Sequence, residues 1–293
     1  MQVKSPINQN TPLQPFLQCK DYTVSRETFD LLLDPKSELL ITSPQPKESE
    51  LTKYYESEDY ISHTDSKKGL IDKVYQIAKK YAINKKVKLV KGLLQGNDKK
   101  ILDIGCGTGD FLSACNKNGF QVYGVEPNQN AKNLALKKNP DVSIVSSVYD
   151  VNQKFDVITM WHVLEHVPNL AQYVNHLKSL LNDNGVLVLA VPNYKSYDAN
   201  YYKEFWAAYD VPRHLWHFSK KSITQLFDKV SMQVEKTLPM KLDSFYVSLL
   251  SEKYKTGKSN LIKAFYIGLL SNLKAKQSKE YSSHIYILKK QKN

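Results

Sequence analysis

The chain is predicted to fold as an α/β protein on a doubly wound, mainly parallel sheet, and three observations predict it. From about residue 100 onward, short apolar runs rich in β-branched residues alternate with stretches of helical period. The first run, residues 101–104, ends in an acid and a turn with glycines at alternate positions, Gly105, Gly107 and Gly109, within ILDIGCGTGDF. The next run, QVYGVE, ends in Glu126. Strand, glycine turn and a carboxylate on the following strand are how such a sheet presents a nucleoside cofactor.

The elements follow in order. Residues 1–60 are polar and punctuated by prolines, with strand-like pieces at 22–24 and 39–41 around the turn SPQP, and they read as a small accessory module. From Ser66 to about Gly92 the period becomes helical, with Leu70, Ile71, Val74, Ile77, Ala78 and Tyr81 on one stripe, so residues 61–98 read as a helical linker. The main domain takes residues 99–293. Strands are expected at 101–104, 121–125, 142–145, 155–160 and, after the turn NDNG, 186–191, joined by helices at 109–118, 128–138 and 170–181. A helix at 222–229, a sixth strand at 233–238 and a seventh at 284–288 complete the sheet, with a helical insertion at about 243–280 before the last strand.

Lysine and arginine exceed aspartate and glutamate by 41 to 29, a net charge of +12. Much of the excess lies in KKYAINKKVKLVKGLLQGNDKK, residues 79–100, where lysines interleave with apolar residues as on the wet face of a helix. No RNA-binding signature accompanies it, so nucleic acid is not the expected partner. Three cysteines, Cys19, Cys106 and Cys115, without a CxxC pair argue against a disulfide framework or a cysteine-rich zinc site. The longest apolar run, GVLVLAVP, is too short for a bilayer span, and the start MQVKSPINQN has no apolar signal region, which places the chain in the cytoplasm. Nothing in the sequence fixes an oligomeric state.

Asp103, at the end of the first strand, can tie down the glycine turn or reach a cofactor's ammonium. Gly105, Cys106 and Gly107 form the loop that a ligand approaches, and Gly109 opens the helix behind it. A dinucleotide fingerprint wants glycine directly after Gly109, and here that position is Asp110, an acid that would repel phosphate. S-adenosylmethionine, with a ribose and an amino-acid end but no phosphate, suits Asp103 and Asp110 better.

ILDIGCGTGDF with Glu126 resembles the motif I and motif II region of class I S-adenosylmethionine-dependent methyltransferases. FDVITMWHVLEHV and AYDVPRHLWHF are similar to the subgroup that includes the ubiquinone-biosynthesis O-methyltransferases and many unassigned bacterial small-molecule methyltransferases. The resemblance spans about residues 55–240. It implies a seven-stranded Rossmann-like methyltransferase sheet, S-adenosylmethionine as cofactor, and a small-molecule acceptor methylated on a hydroxyl group. An RNA-directed methyltransferase and a non-catalytic cofactor-binding scaffold are the alternatives. It further implies that Asp103, Gly105, Cys106, Gly107 and Gly109 line the methionine end, that Glu126 binds both ribose hydroxyls, and that Pro127 and Asn128 border the adenine. Trp161, His162 and Leu164 would wall the cofactor and face the acceptor. Where the family often has an acid after the third strand, this chain reads SIVSSVYD and places Ser147.

HVLEH, residues 162–166, also matches the HxxEH zinc motif, but it follows a buried strand and precedes Pro168 within two residues, so no metal is expected. His166 is either a proton acceptor near the transferred methyl or a packing group. Trp206, Tyr209, Asp210, Arg213, His214, Trp216 and His217 follow the fifth strand, at the edge where such sheets bind ligands. Aromatic and ionisable groups there suit an aromatic or sugar-like acceptor, with Trp206, Tyr209, Arg213 and His217 as contacts and His214 as the preferred base. For any one of them, a buried lid with satisfied polar groups is the alternative. The order VPNY rather than NPPY, and the lack of a PC dipeptide, weigh against methylation of nucleic acid.

Relatives of this core often carry a zinc ribbon in front of it. FLQCKDYTVSRETFDLLLDPKSELLITSPQP resembles such a ribbon with its ligands lost: Asp34 and Ser37 replace one pair, and Cys19 alone cannot hold zinc. Tyr55, Tyr60 and His63 stand where the family has a helical lid. The insertion segment LIKAFYIGLLSNLKAK is apolar with lysines near its ends, which suits packing or a lid for a hydrophobic acceptor with peripheral membrane contact.

Overall fold

The computed structural model describes residues 3–55, 70–94 and 99–291. Its strands are β1 (Gln14–Lys20), β2 (Thr28–Asp34), β3 (Leu39–Ser43), β4 (Lys100–Ile104), β5 (Gln121–Val125), β6 (Ser143–Val145), β7 (Phe155–Trp161), β8 (Leu181–Pro192), β9 (Trp216–His217), β10 (Met232–Pro239) and β11 (Ser283–Lys290). Seven of them form one sheet in the order β10-β11-β8-β7-β4-β5-β6, and the other four form a second sheet, β1-β2-β3-β9. The described residues of Met1–Tyr60, His162–Val174 and Ala190–Tyr286 make one compact unit, and those of Ile61–Trp161, Asn175–Leu189 and Ile287–Asn293 another.

The second unit carries the glycine turn. β4 pairs in parallel with both β5 and β7, and β5 with β6, so the strand ends that carry Asp103, Glu126 and Trp161 lie at one edge of the sheet. Ile101, Leu102, Val157 and Ile158 are fully buried, as expected for strands covered on both faces. The helix behind the turn, Asp110–Asn116, starts from Gly109 in the left-handed region at φ 76°. A Cβ added there would sit 2.6 Å from Asn139 Nδ2, so glycine is required for both conformation and space. Asn128 caps the next helix, Gln129–Lys138, by accepting from Ala131 N at 3.0 Å. β8 begins five residues before the expected strand, because Asn182 Nδ2 donates to Asp156 Oδ1 (2.9 Å) and Phe155 N to Leu180 O (2.8 Å), anchoring the segment to the start of β7.

The long helix Leu70–Leu93 departs from the expected stripe at Ile77 and Tyr81, and the side chains of Leu70, Ile71 and Val74 lie outside the described residues. Ile77 is 69% exposed and Tyr81 50%, while Val87 and Val90 are buried. The face turns because two lysines point inward: Lys79 Nζ lies 2.7 Å from Asp110 Oδ2, and Lys86 Nζ lies 4.3 Å from the centre of the Trp161 ring. Ser66, Tyr60 and His63 lie outside the described residues.

The first unit contains the accessory meander. β2 pairs antiparallel with β1 and β3, and β3 with β9, placing Leu40 opposite His217. The expected strand at 39–41 is found, but residues 22–24 form a turn. The reason is Asp21, whose carboxylate accepts from the backbone N–H groups of Thr23, Val24 and Ser25 and so uses donors that a ladder would need. Cys19, Phe29, Leu31 and Leu40 pack with Tyr202, Trp206 and Tyr209 in one core. At the turn between β2 and β3, Asp34 Oδ2 accepts from Ser37 Oγ (2.7 Å) and Ser5 Oγ (2.6 Å), and burial pushes the Cys19 thiol up to about 12. Hydrogen bonds thus close the turn.

The insertion is two helices, Asp243–Thr256 and Leu261–Ser278, separated at Gly257 and restarted by the Asn260 cap. Ala264, Ile267 and Ala275 are buried, whereas Ile262 is 85% exposed and Phe265 and Tyr266 are each 60% exposed. Among the described residues no helix is long and apolar enough to cross a membrane.

Candidate cofactor cradle and histidine cluster

In the cradle, Gly105 N and Cys106 N donate to Val125 O at 2.8 and 3.1 Å, folding the glycine loop over the end of β5. Glu126, 7% exposed, accepts from Gly107 N at Oε2 (2.8 Å) and from Asn128 N at Oε1 (2.9 Å). Each oxygen retains a lone pair for a hydroxyl donor. Burial raises its pKa, against the lowering effect of those two N–H donors. Gly107 has φ 55°, and a Cβ built there meets nothing within 4 Å, so the backbone borders open space.

Asp103 is 2% exposed and its Oδ1 accepts from Thr159 Oγ1 at 2.6 Å. Burial lifts its carboxyl from 3.8 to about 7, against the lowering effects of Thr159 and Lys86, while Glu126 adds to the rise. A cationic ligand group is what this carboxylate lacks. Trp161 stands edge-on to Phe111, and its buried Nε1 has no hydrogen-bond partner among the described residues. Open space at Gly107, an underneutralised Asp103 and a carboxylate on the second strand fit a ligand with an ammonium and a ribose.

The other expected cofactor residues are placed differently. Asp110 is held by Lys79 and Lys138 at 2.7 and 2.8 Å, so its charge is answered within the unit and does not repel phosphate; only the missing glycine bears on the choice of cofactor. The Cys106 thiol is raised by burial and stays unreactive. Pro127 and Asn128 are exposed at the head of their helix. The Ser147 hydroxyl accepts from Tyr149 N at 3.2 Å and caps the turn Val148–Asp150.

In the first unit, the chain leaves β7 and enters residues 162–166. Leu164 is fully buried and packs in the core, so it does not wall a ligand. His162, at φ 59°, places Nε2 2.9 Å from Asp243 Oδ2 and Nδ1 3.4 Å from Glu165 Oε1. Burial opposes its charge, but the Asp243 and Glu165 carboxylates prevail and hold its pKa at about 10. It is a paired cation. His166 and His214 stand edge to face with ring centres 4.6 Å apart. Burial first and the neighbouring His214 second push His166 down to about 4, so it is neutral at physiological pH. Tyr55 places its hydroxyl 3.0 Å from His166 Nδ1.

Three of the four expected acceptor contacts, Trp206, Arg213 and His217, are hydrogen-bonded within the protein. Trp206 Nε1 donates to Asp198 Oδ2 at 2.8 Å, and Tyr209 is 4% exposed, edge-on to Trp206. Arg213 donates to Asp21, Asp210 and the Tyr54 carbonyl. His217 lies 3.0 Å from Thr42 Oγ1 and is held well below its ordinary pKa by burial. All four are buried, and Trp206, Arg213 and His217 have hydrogen-bond partners within the protein, whereas His166, His214 and Glu165 come together. Glu165, which the sequence offered only as a letter of the HxxEH pattern, is the residue missed; the pairing of its segment with residue 214 has no local signal.

The family model for a methyltransferase domain matches residues 66–237, more than half of the chain. The chain belongs to this methyltransferase-domain family. Its members are S-adenosylmethionine-dependent enzymes of class I. Among curated relatives, the ubiquinone biosynthesis O-methyltransferase of Bradyrhizobium diazoefficiens is 31% identical over 102 residues, 32% of this chain and 40% of that protein. A methyltransferase of Alkaliphilus oremlandii is 34% identical over 101 residues, 32% of this chain and 46% of that protein. The chain thus spans less than half the length of the curated relatives it matches. The fold is that of magnesium protoporphyrin IX methyltransferase from Synechocystis PCC 6803 with bound SAH, at a TM-score of 0.55, 15% identity, and coverage of 83% of this chain and all of that one.

Proposed function

We propose that this methyltransferase-family chain transfers the methyl group of S-adenosylmethionine to a hydroxyl oxygen of a small-molecule acceptor in the cytoplasm. When bound, the cofactor supplies an electrophilic methyl group on a sulfonium. Asp103 holds its ammonium, the Gly105–Gly107 backbone admits its methionine end, and Glu126 takes the ribose hydroxyls. Alignment and exclusion of water supply most of the effect in such a displacement.

The observation that carries the choice of oxygen is the pair of imidazoles. His214 Nδ1 lies 2.9 Å from the Ala208 carbonyl and His166 Nδ1 3.0 Å from the Arg213 carbonyl. A carbonyl only accepts, so each Nδ1 bears the proton and each Nε2 offers a lone pair to an acceptor hydroxyl. His214 serves as the proton acceptor. His214→Asn is expected to lower kcat by roughly 100-fold or more, the usual loss of a general base, while affinity for S-adenosylhomocysteine stays within about twofold. Steady-state kinetics with an extract-derived acceptor checks this, and an unchanged kcat would sink the base.

The names of the matched relatives support a small acceptor. The exposed Ile262, Phe265 and Tyr266 support contact with a lipid surface that carries a hydrophobic acceptor. Sedimentation with anionic vesicles at low salt should deplete the wild type and leave Ile262→Glu/Phe265→Glu in the supernatant; equal behaviour of the two excludes that contact.

A further inference from the structure

We propose that Glu165, His166 and His214 form a site for one divalent metal cation of the zinc class. Their donor atoms all lie within 4.8 Å of one another. Bonds of about 2.0–2.1 Å in tetrahedral geometry put neighbouring donors roughly 3.4 Å apart, so the cluster closes on an ion by small side-chain shifts. Both Nδ1 atoms lie within hydrogen-bond distance of backbone carbonyls; a proton on each Nδ1 leaves Nε2 as the ligand atom, the outer-shell arrangement typical of metal-binding histidines, with the Tyr55 hydroxyl then accepting from His166.

Glu165 is the second, independent observation. It is 1% exposed, and neither carboxylate oxygen accepts a hydrogen bond among the described residues. His162 Nδ1 lies 3.4 Å from Oε1 and is shared with Asp243. His162 answers part of the charge at Oε1, and a dication bound to the carboxylate would supply the coordination that its two oxygens lack.

His162 does not serve as the first histidine of HxxEH, because Asp243 holds its Nε2. His214, from a distant segment, takes that place. Two imidazoles and one carboxylate suit zinc, and three protein ligands leave a coordination position open. With the ion bound, His214 Nε2 is a ligand and takes no proton; an acceptor hydroxyl at the open position would then lose its proton to solvent, and the loss of turnover in His214→Asn would report the loss of the ion. This use of the cation rests on the methyl-transfer function proposed above; the site itself does not.

The test uses the tag-free full chain, stripped with a chelator and titrated calorimetrically with zinc chloride, with metal content measured after gel filtration. One ion per chain is expected, with affinity at least tenfold weaker in Glu165→Gln and in His214→Ala and unchanged in His176→Ala. Titration of each variant with S-adenosylhomocysteine verifies that it is folded. Should either variant fail to fold, cobalt(II) added to the wild type must give the intense visible absorption of a four-coordinate site. No ion on the wild type, equal retention by both variants, or only the weak absorption of hydrated cobalt would overturn the site. Metal binding without S-adenosylhomocysteine binding would instead overturn methyl transfer and leave the metal site standing.

Discussion

Glu126→Ala is expected to weaken S-adenosylhomocysteine binding by roughly 100- to 10,000-fold, because it would remove two charge-assisted hydrogen bonds to the ribose of about 1.5–3 kcal/mol each. In the free protein the carboxylate already organises the cradle through Gly107 N and Asn128 N, so its remaining lone pairs are aimed before any ligand arrives. A 2′-deoxy analogue separates the ribose contact from this organising role. The wild type should bind the analogue more weakly than the parent compound, and Glu126→Ala should bind the two alike. If Glu126→Ala still discriminates between them, the ribose is held elsewhere.

Asp103→Asn is expected to stabilise the protein and weaken the cofactor site together. The folded carboxyl titrates at about 7 rather than 3.8, so its stabilising proton is fully present below the unfolded value and is lost as pH rises through the folded one. Above that point the wild type carries a buried charge that asparagine lacks. The variant should therefore melt about 5 °C higher at pH 8, for roughly 2 kcal/mol, with a smaller gain at pH 5. The same charge is what an ammonium ligand needs. Wild-type affinity for S-adenosylhomocysteine should fall about tenfold from pH 8 to pH 6, since only roughly a tenth of the groups are ionised one unit below their pKa. In Asp103→Asn it should be weak and flat over that range. Thermal melts and calorimetry at three pH values check both halves; a destabilised variant, or one whose affinity follows the wild-type pH profile, would contradict the assignment.

What could be read from the sequence was what local chemistry specifies. The apolar runs of β4, β5 and β7 and the glycine turn appear where their residues place them, because both flanking strands and the turn lie within about 60 residues of chain. Asp103, Gly107 and Glu126 meet for the same reason. The amino-terminal meander was half legible: Leu39–Ser43 announces itself by β-branched and apolar residues, while Asp21 turns a strand-like Tyr22–Val24 into a capped loop. The helix stripe was misplaced because lysine is assigned to solvent by default, and Lys79 and Lys86 have partners in the fold. The aromatic and ionisable run after β8 was read as a pocket. Trp206 and Arg213 instead reach partners, Asp198 and Asp21, that no local pattern predicts; Arg213 and Asp21 are 192 residues apart. The Glu165, His166 and His214 cluster is likewise a product of tertiary structure, visible in sequence only as half of a zinc motif.

Calorimetric titration of the wild-type chain with S-adenosylmethionine tests the central claim most directly. One site per chain with a dissociation constant in the micromolar range, abolished by Gly107→Arg, which fills the open space beside the glycine turn, is the predicted result. No binding at about 1 mM cofactor, or equal binding by Gly107→Arg, would contradict it.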